Sequence, residues 1–167
     1  MKNVAINFSE VILLTTLIYL SIKYWKSKLL YPFCKGENIY SYSVFVLFQI
    51  ITLSLIFFSS FDSQTFAFVT DIDLFGNKSK ENWAFLGVQV VGSSLTYIIA
   101  NVFGHLIYKI AGVSKKGLYN SISLDEKQNV LLASILILVF GYAISLFVLR
   151  PFLLNWIADS IAYLPFS

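Results

Sequence analysis

Long apolar runs alternate with short polar stretches along the chain. Four runs stand out, at residues 4–22, 43–61, 84–108 and 130–149. A helix of about 20 mostly apolar residues crosses the roughly 30 Å hydrocarbon core of a bilayer. The pattern therefore predicts an all-α membrane protein, with four transmembrane helices in a single domain over residues 1–167.

A shorter amphipathic segment follows the fourth run. Arg150 and Pro151 interrupt the apolar pattern, and apolar residues then recur at helical spacing over residues 152–164. Proline disrupts a helix interior but suits the first turn of a new helix. We expect a short C-terminal helix that lies in the membrane interface or packs against the protein's own outer loop.

The amino-acid composition supports a membrane protein and excludes several kinds of functional site. The chain is 57% hydrophobic and 13% charged, whereas soluble domains have about 45–50% apolar and about 25% charged residues. The single cysteine, Cys34, excludes an internal disulfide. No metal-ligand cluster, phosphate-binding loop or nucleophile motif is present. We therefore expect no enzyme activity, no metal, no cofactor and no nucleic-acid partner.

The distribution of basic residues predicts the topology. Residues 23–42 and 109–129 contain eight of the twelve basic residues, whereas residues 62–83 also carry four acidic ones. Short loops rich in lysine stay in the cytoplasm. Both termini and the loop at 62–83 then face outward. Four lysines in the two basic loops are candidates for binding anionic lipid or a cytoplasmic protein: Lys26, Lys28, Lys115 and Lys116.

The chain also contains a weak internal repeat. Aligning Leu17 with Leu106 without gaps places Lys26 on Lys115 and Glu37 on Glu126. The ends of the apolar runs and the two basic loops coincide in the same alignment. This predicts two parallel hairpins, each made of a span, a cytoplasmic loop and a second span, related by an axis along the membrane normal.

In this respect the chain resembles the YjfL-like family of small bacterial inner-membrane proteins. That family has duplicated two-helix units, with an acidic residue and then Asn at the start of each second helix. Glu126 and Asn129 match this pattern, and Glu37 and Asn38 match it loosely. The resemblance implies a bacterial inner-membrane location and an outward N-terminus. It supplies no catalytic residues, because the function of the family is uncharacterised.

Polar residues inside the spans are the candidate functional positions. By depth they form two layers. In the outer layer, Glu10 lies about 9 Å from the outer end of its span, at the same depth as Gln89. The inner layer contains Thr16, Gln49, Asn101, His105 and Ser134. The inner layer is either a hydrogen-bonded knot that joins the helices or a wetted pore with a titrating histidine. Glu10 is either interfacial and structural, or functional.

Small residues predict where helices approach closely. Two patterns of small residues four apart occur, Ala100 with Gly104 and Gly141 with Ser145. Such pairs serve helix packing within one chain or between chains, and the sequence leaves both open.

Two functions are compatible with these features. The first is an oligomeric pore, channel or transport subunit formed by several copies of the chain, since four helices enclose little space. The second is a membrane scaffold or sensor that docks a soluble cytoplasmic partner on its basic loops, as a component of a bacterial antiviral-defence system would.

Overall fold

The computed structural model describes residues 2–30, 39–60, 79–111 and 117–155, and for residues 2–10 and 79–86 the backbone alone. Within these ranges every regular element is helical. Five α-helices follow one another, with a π-helical turn extending the first and another extending the last. They are α1 (Lys2–Trp25, extended by Lys26–Leu30), α2 (Tyr40–Ser59), α3 (Ser79–Ile110), α4 (Leu118–Ser123) and α5 (Lys127–Ile144, extended by Ser145–Leu149).

Three helical stretches are long and apolar enough to cross a membrane: Tyr40–Ser59, Gly87–Ile110 and Lys127–Asn155. They correspond to the predicted spans at 43–61, 84–108 and 130–149. Hydrocarbon offers no hydrogen-bond partners to the backbone, whereas a helix pairs its own N–H and C=O groups. An apolar run of this length therefore folds as a helix. The described part of the chain is thus all-α, with three helices suited to cross a membrane. The first predicted run, at 4–22, is also helical, as part of α1.

Helix α3 is longer than its apolar run. It begins at Ser79, inside the predicted outer loop, and has 32 residues. At 1.5 Å per residue it is about 48 Å long, against a hydrocarbon core of about 30 Å. The polar first turns therefore extend the helix beyond the membrane-spanning part.

The end of the last helix differs from the prediction. A new helix was expected after Pro151, but helical structure continues from Lys127 through Pro151 to Asn155. The π-helical turn Ser145–Leu149 lies directly before the proline. A proline ring clashes with the carbonyl four residues earlier, here Phe147, and the wider π turn accommodates that conflict. Residues 156–164 of the expected amphipathic helix lie outside the described residues.

Helices α2 and α5 form the centre of the bundle. They pack most extensively on each other, α3 packs on α5 and α2, and α1 packs on α2. The main apolar cluster lies at the end of the bundle where α4 sits. Its members are Trp25, Leu29, Phe45, Ala100, Tyr108, Leu118, Ile122, Val130, Ala133 and Ile137.

The predicted small residues lie at helix contacts within the chain. Ala100 is fully buried, and Gly104 lies directly against Ile137 of α5. A β-carbon on Gly141 would lie 3.0 Å from Thr52 Cγ2 of α2. The Ser145 hydroxyl donates to the Ile56 carbonyl at 3.0 Å. These positions therefore bring α3, α5 and α2 together inside one chain.

A long-range cap joins the two predicted cytoplasmic connections. Asp125, in the turn before α5, has a left-handed backbone with φ 54°. Its Oδ1 accepts a 2.8 Å hydrogen bond from the backbone N–H of Ser41, in the first turn of α2. Lys127 Nζ lies 4.9 Å from the centre of the Tyr40 ring. The start of α2 is thus stabilised by the turn that begins α5.

Candidate functional site: a polar ridge and an intramembrane groove

Every fourth residue along the central part of α3 is polar. We call this row, made of Gln89, Ser93, Tyr97, Asn101 and His105, the α3 ridge. It covers about 24 Å at helical rise, most of the thickness of a hydrocarbon core. The opposite side of α3 is apolar and exposed, with Val91, Leu95, Val102 and Leu106 between 49% and 59% accessible. Gln89, Ser93 and Asn101 therefore face the interior of the bundle, whereas Tyr97 and His105 are half-buried.

The outer half of the ridge is fully buried. Gln89 Nε2 donates a long, 3.5 Å hydrogen bond to the Phe57 carbonyl of α2. Within the ranges that the structure describes, Gln89 Oε1 and Ser93 Oγ have no hydrogen-bond partner. Burying an amide or hydroxyl without a partner costs about 1–3 kcal/mol by protein mutational data. The outer half of the ridge thus contains buried polar atoms whose hydrogen bonds are not all made by other described residues.

The inner half of the ridge also contains buried polar atoms whose hydrogen bonds are not made by other described residues. Asn101 is 7% exposed, and its Nδ2 donates to the Tyr97 carbonyl at 3.0 Å. Asn101 Oδ1 and His105 Nε2 have no hydrogen-bond partner among the residues that the structure describes. The His105 ring contacts Tyr119 of α4 edge-on, with 5.1 Å between ring centres.

Tyr97, in the middle of the ridge, joins α3 to α1. Its hydroxyl accepts a hydrogen bond from Trp25 Nε1–H at 2.8 Å and shares one with the Ser21 hydroxyl at 2.9 Å. Tyr97 is not among the functional residues predicted from the sequence, because tyrosine in a span is usually an interfacial anchor. The spacing of four residues from both Ser93 and Asn101 is the signal that identifies it.

Gln49 of α2 is a second unsatisfied polar group. The side chain is 1% exposed, and neither amide atom has a partner among the described residues. Buried polar groups in native proteins are generally hydrogen-bonded. Like the atoms of the ridge, these amide atoms are therefore available to a water or a bound molecule.

The remaining predicted members of the inner layer do not join these groups. Thr16 is exposed, and its hydroxyl donates to the Ile12 carbonyl of its own helix at 2.8 Å. Ser134 is buried, but its hydroxyl donates to Val130 at 2.7 Å. Serine and threonine in helices commonly bond the carbonyl four residues back, which removes the need for a partner on another helix.

The other predicted positions are only partly covered by the structure. Glu10 belongs to α1, but its side chain, and so its pairing with Gln89, lies outside the described residues. Lys26 and Lys28 are exposed in the π-helical turn after α1. Lys115 and Lys116 lie outside the described residues. In the described part of the chain, no group of three His, Cys, Asp or Glu side chains could hold a metal ion.

A groove of about 760 Å³ lies beside the inner half of the ridge. We call it the α1–α3 groove. Leu17 and Leu20 of α1 line one side, Ile98 and Val102 of α3 line the other, and Leu53 of α2 contributes from beneath. The polar or aromatic side chains along it are Ser21, Tyr24, Trp25, Ser94, Tyr97, Asn101, His105 and Tyr119. Ligand pockets typically have volumes of about 300–1,000 Å³, so the groove is large enough for a small molecule.

Comparison of the chain with protein-family models, curated proteins and solved structures finds no match. The resemblance to the YjfL-like family therefore stays a prediction, and no activity can be transferred from a relative. The candidate site rests on its own geometry.

Proposed function

We propose that the protein is a non-enzymatic transport subunit that carries protons or small polar solutes along the α3 ridge. One observation supports this most directly: four of the five ridge residues have a buried polar atom without a hydrogen-bond partner in the described part of the chain. These atoms are Gln89 Oε1, Ser93 Oγ, Asn101 Oδ1 and His105 Nε2.

A helix that only anchors the protein has no use for such a row. Polar groups in hydrocarbon are costly, and in membrane proteins they mark ion pathways and proton relays. Water molecules can bridge the ridge atoms that lack a partner among the described residues, and each water needs two to four polar partners. Spaced about 6 Å apart along the helix, the ridge residues are suited to a continuous hydrogen-bonded file.

The proposed path lies inside one chain. The exposed side of α3 is apolar, so it is suited to contact lipid or another apolar helix and not a water-filled channel. Association of several copies, which we propose as well, would add helices around the bundle without completing the path.

We further propose that α1 is a fourth span and that the bundle consists of two parallel hairpins. Ser145 Oγ bonds the carbonyl of Ile56, a residue 89 positions away. Gly141 and Thr52, which touch, are separated by the same shift that relates the two halves of the sequence. A two-fold axis between α2 and α5 would bring equivalent positions together in this way, which supports the proposed repeat.

The test is proton uptake by liposomes containing the purified protein. Gln89→Leu and Asn101→Leu remove amides from the outer and inner halves of the ridge, and we expect uptake to fall to the rate of empty liposomes. Thr16→Val is the matched control, because its hydroxyl is satisfied within α1, and it should transport like the wild type. Uptake by the wild type no faster than by empty liposomes, for protons and for potassium, would contradict the proposal.

A second candidate function is a membrane scaffold that docks a soluble cytoplasmic protein. The observation that favours it is the cap between Asp125 and Ser41, which holds the ends of the two lysine-rich connections together. Lys26 and Lys28 lie exposed near this end of the bundle. Alternatively, the lysines only contact anionic lipid, at about 1 kcal/mol each. Co-purification with Lys26, Lys28, Lys115 and Lys116 changed to Gln distinguishes the two, and unchanged partners would count against docking.

A further inference from the structure

The α1–α3 groove opens sideways, toward where lipid surrounds the bundle. The side chains along its edges are half-exposed, among them Leu20 at 53%, Ile98 at 56% and Val102 at 59%. From Ser94 to His105 the groove extends about 16 Å along α3. A molecule dissolved in the bilayer can therefore enter it without passing through water.

The groove lining carries no fixed charge. Among the lining residues that the structure describes, none is Asp, Glu, Lys or Arg. A lipid with an anionic or cationic head would be left without a counter-charge in a low-dielectric site. The lining thus favours an uncharged ligand.

One end of the groove is aromatic. Trp25, Tyr97, His105 and Tyr119 lie there, and His105 and Tyr119 already contact each other edge-on at 5.1 Å. Aromatic side chains favour stacked or edge-to-face contacts with a flat ring. The part bordered by Leu17 and Ile98 also contains Ser94, whose hydroxyl donates to the Val90 carbonyl of its own helix. This part suits a hydrocarbon tail.

Hydrogen-bonding capacity remains at the aromatic end. The Tyr97 hydroxyl is already bonded to Trp25 and Ser21, so the unused capacity belongs to its neighbours on the ridge. Asn101 is more than nine-tenths buried, and Asn101 Oδ1 and His105 Nε2 have no hydrogen-bond partner among the described residues. Both atoms are enclosed, and both residues line the groove.

We propose that the α1–α3 groove binds an uncharged lipid consisting of a planar, oxygen-bearing ring on a single hydrocarbon tail, of the quinone or phenol class. The ring lies against Trp25 and Tyr97, with its oxygens bonded by Asn101 and His105. The tail lies along Leu17 and Ile98. This inference concerns binding alone and does not rest on the proposed transport.

Fluorescence of Trp25 tests the proposal, because a quinone ring quenches a tryptophan that it contacts. The full chain is used with Trp83→Phe and Trp156→Phe, which leave Trp25 as the single tryptophan. Decylubiquinone is added to this protein in lipid nanodiscs. We expect saturable quenching, and we expect neither palmitate, which has a charged head, nor monoolein, which is uncharged but has no ring, to displace the quinone.

Two exposed valines provide a matched pair of variants. Val102→Phe places a larger side chain in the groove, whereas Val139→Phe makes the same change on an exposed part of α5, 54% accessible. Val102→Phe should raise the Kd about tenfold or more, equivalent to about 1.4 kcal/mol, and Val139→Phe should leave it unchanged. Asn101→Leu should also weaken binding, with the fold of each variant checked by circular dichroism.

Quenching that rises linearly with quinone, equally in all variants, would show partition into lipid and would overturn the proposal. So would displacement by monoolein or palmitate, or saturable binding that Val102→Phe does not weaken. Because binding and proton uptake are measured separately, loss of one leaves the other proposal standing.

Discussion

Asp125 shows how one side chain connects distant parts of the sequence. Helix α2 begins after Ile39, which has no side-chain group to cap it. The carboxylate of Asp125 supplies the acceptor from a turn 84 residues away. A negative charge is also favourable near the positive end of the helix dipole. The hydrogen bond from the Ser41 backbone holds the pKa of Asp125 below its ordinary value of 3.8.

This cap predicts a pH-dependent stability. Because the folded-state pKa is lowered, the contribution is present at neutral pH. It is lost as the pH falls from about 5 through the folded pKa, which lies below 3.8. Asp125→Ala should lower the melting temperature at pH 7, and the difference from wild type should shrink toward pH 3. Thermal unfolding in detergent across this range measures it.

Asp125→Asn is the control for this prediction. Asparagine tolerates the left-handed backbone and keeps an acceptor oxygen, but it does not titrate. Its melting temperature should lie between those of wild type and Asp125→Ala, without the acid-dependent loss. If Asp125→Ala and wild type melt together at pH 7, the cap does not stabilise the fold.

Close contact between α3 and α5 is the main feature at the scale of elements. Gly104 lies against both the side chain and the backbone of Ile137, so the helices approach as nearly as their backbones permit. Gly87, on the same helix, has nothing within 4 Å of where a β-carbon would lie. The two glycines thus differ in packing and share a helical backbone.

We predict opposite effects of alanine at these glycines. Gly104→Ala forces a methyl group into Ile137 and should lower the free energy of unfolding by about 1–3 kcal/mol. Gly87→Ala adds helix propensity without a clash and should raise it, by at most about 1 kcal/mol. Unfolding in mixed detergent micelles measures both. Equal effects of the two substitutions would mean that the α3–α5 contact is looser than described.

At the scale of the whole molecule, the topology is the open prediction. The distribution of lysines places residues 23–42 and 109–129 in the cytoplasm. Cys34, the single cysteine of the chain, lies in the first of these loops. In intact cells it should not react with a membrane-impermeant maleimide, and it should react after lysis.

A cysteine placed in the loop at 62–83 reports the other side of the membrane. Asp73→Cys, in a chain with Cys34→Ser, should be labelled in intact cells. If the labelling pattern of the two cysteines is reversed, the predicted orientation is wrong. If both are labelled only after lysis, the two loops share a side, which would contradict a span over α2.

Apolar run length by itself determined that the chain is helical and suited to a membrane. The runs at 43–61, 84–108 and 130–149 correspond to the helical stretches Tyr40–Ser59, Gly87–Ile110 and Lys127–Asn155, which are long and apolar enough to span a membrane. The physical reason is local: in hydrocarbon, backbone groups must be satisfied within their own segment, so composition decides the structure of each run. The continuation of α5 through Pro151 was not predicted from the sequence. The π-helical turn before the proline lets the helix continue where a new helix was expected.

Relations between helices were decided only by the tertiary structure. Similar depth in the predicted spans placed Thr16 and Ser134 beside Asn101 and His105. In the structure, both hydroxyls donate to a carbonyl of their own helix. Depth follows from sequence position, whereas the direction of a side chain depends on the rotation of its helix about its axis. That rotation results from all packing contacts together. Tyr97 bonding Trp25, Asp125 capping α2 and the α1–α3 groove itself are therefore visible only once the helices are packed.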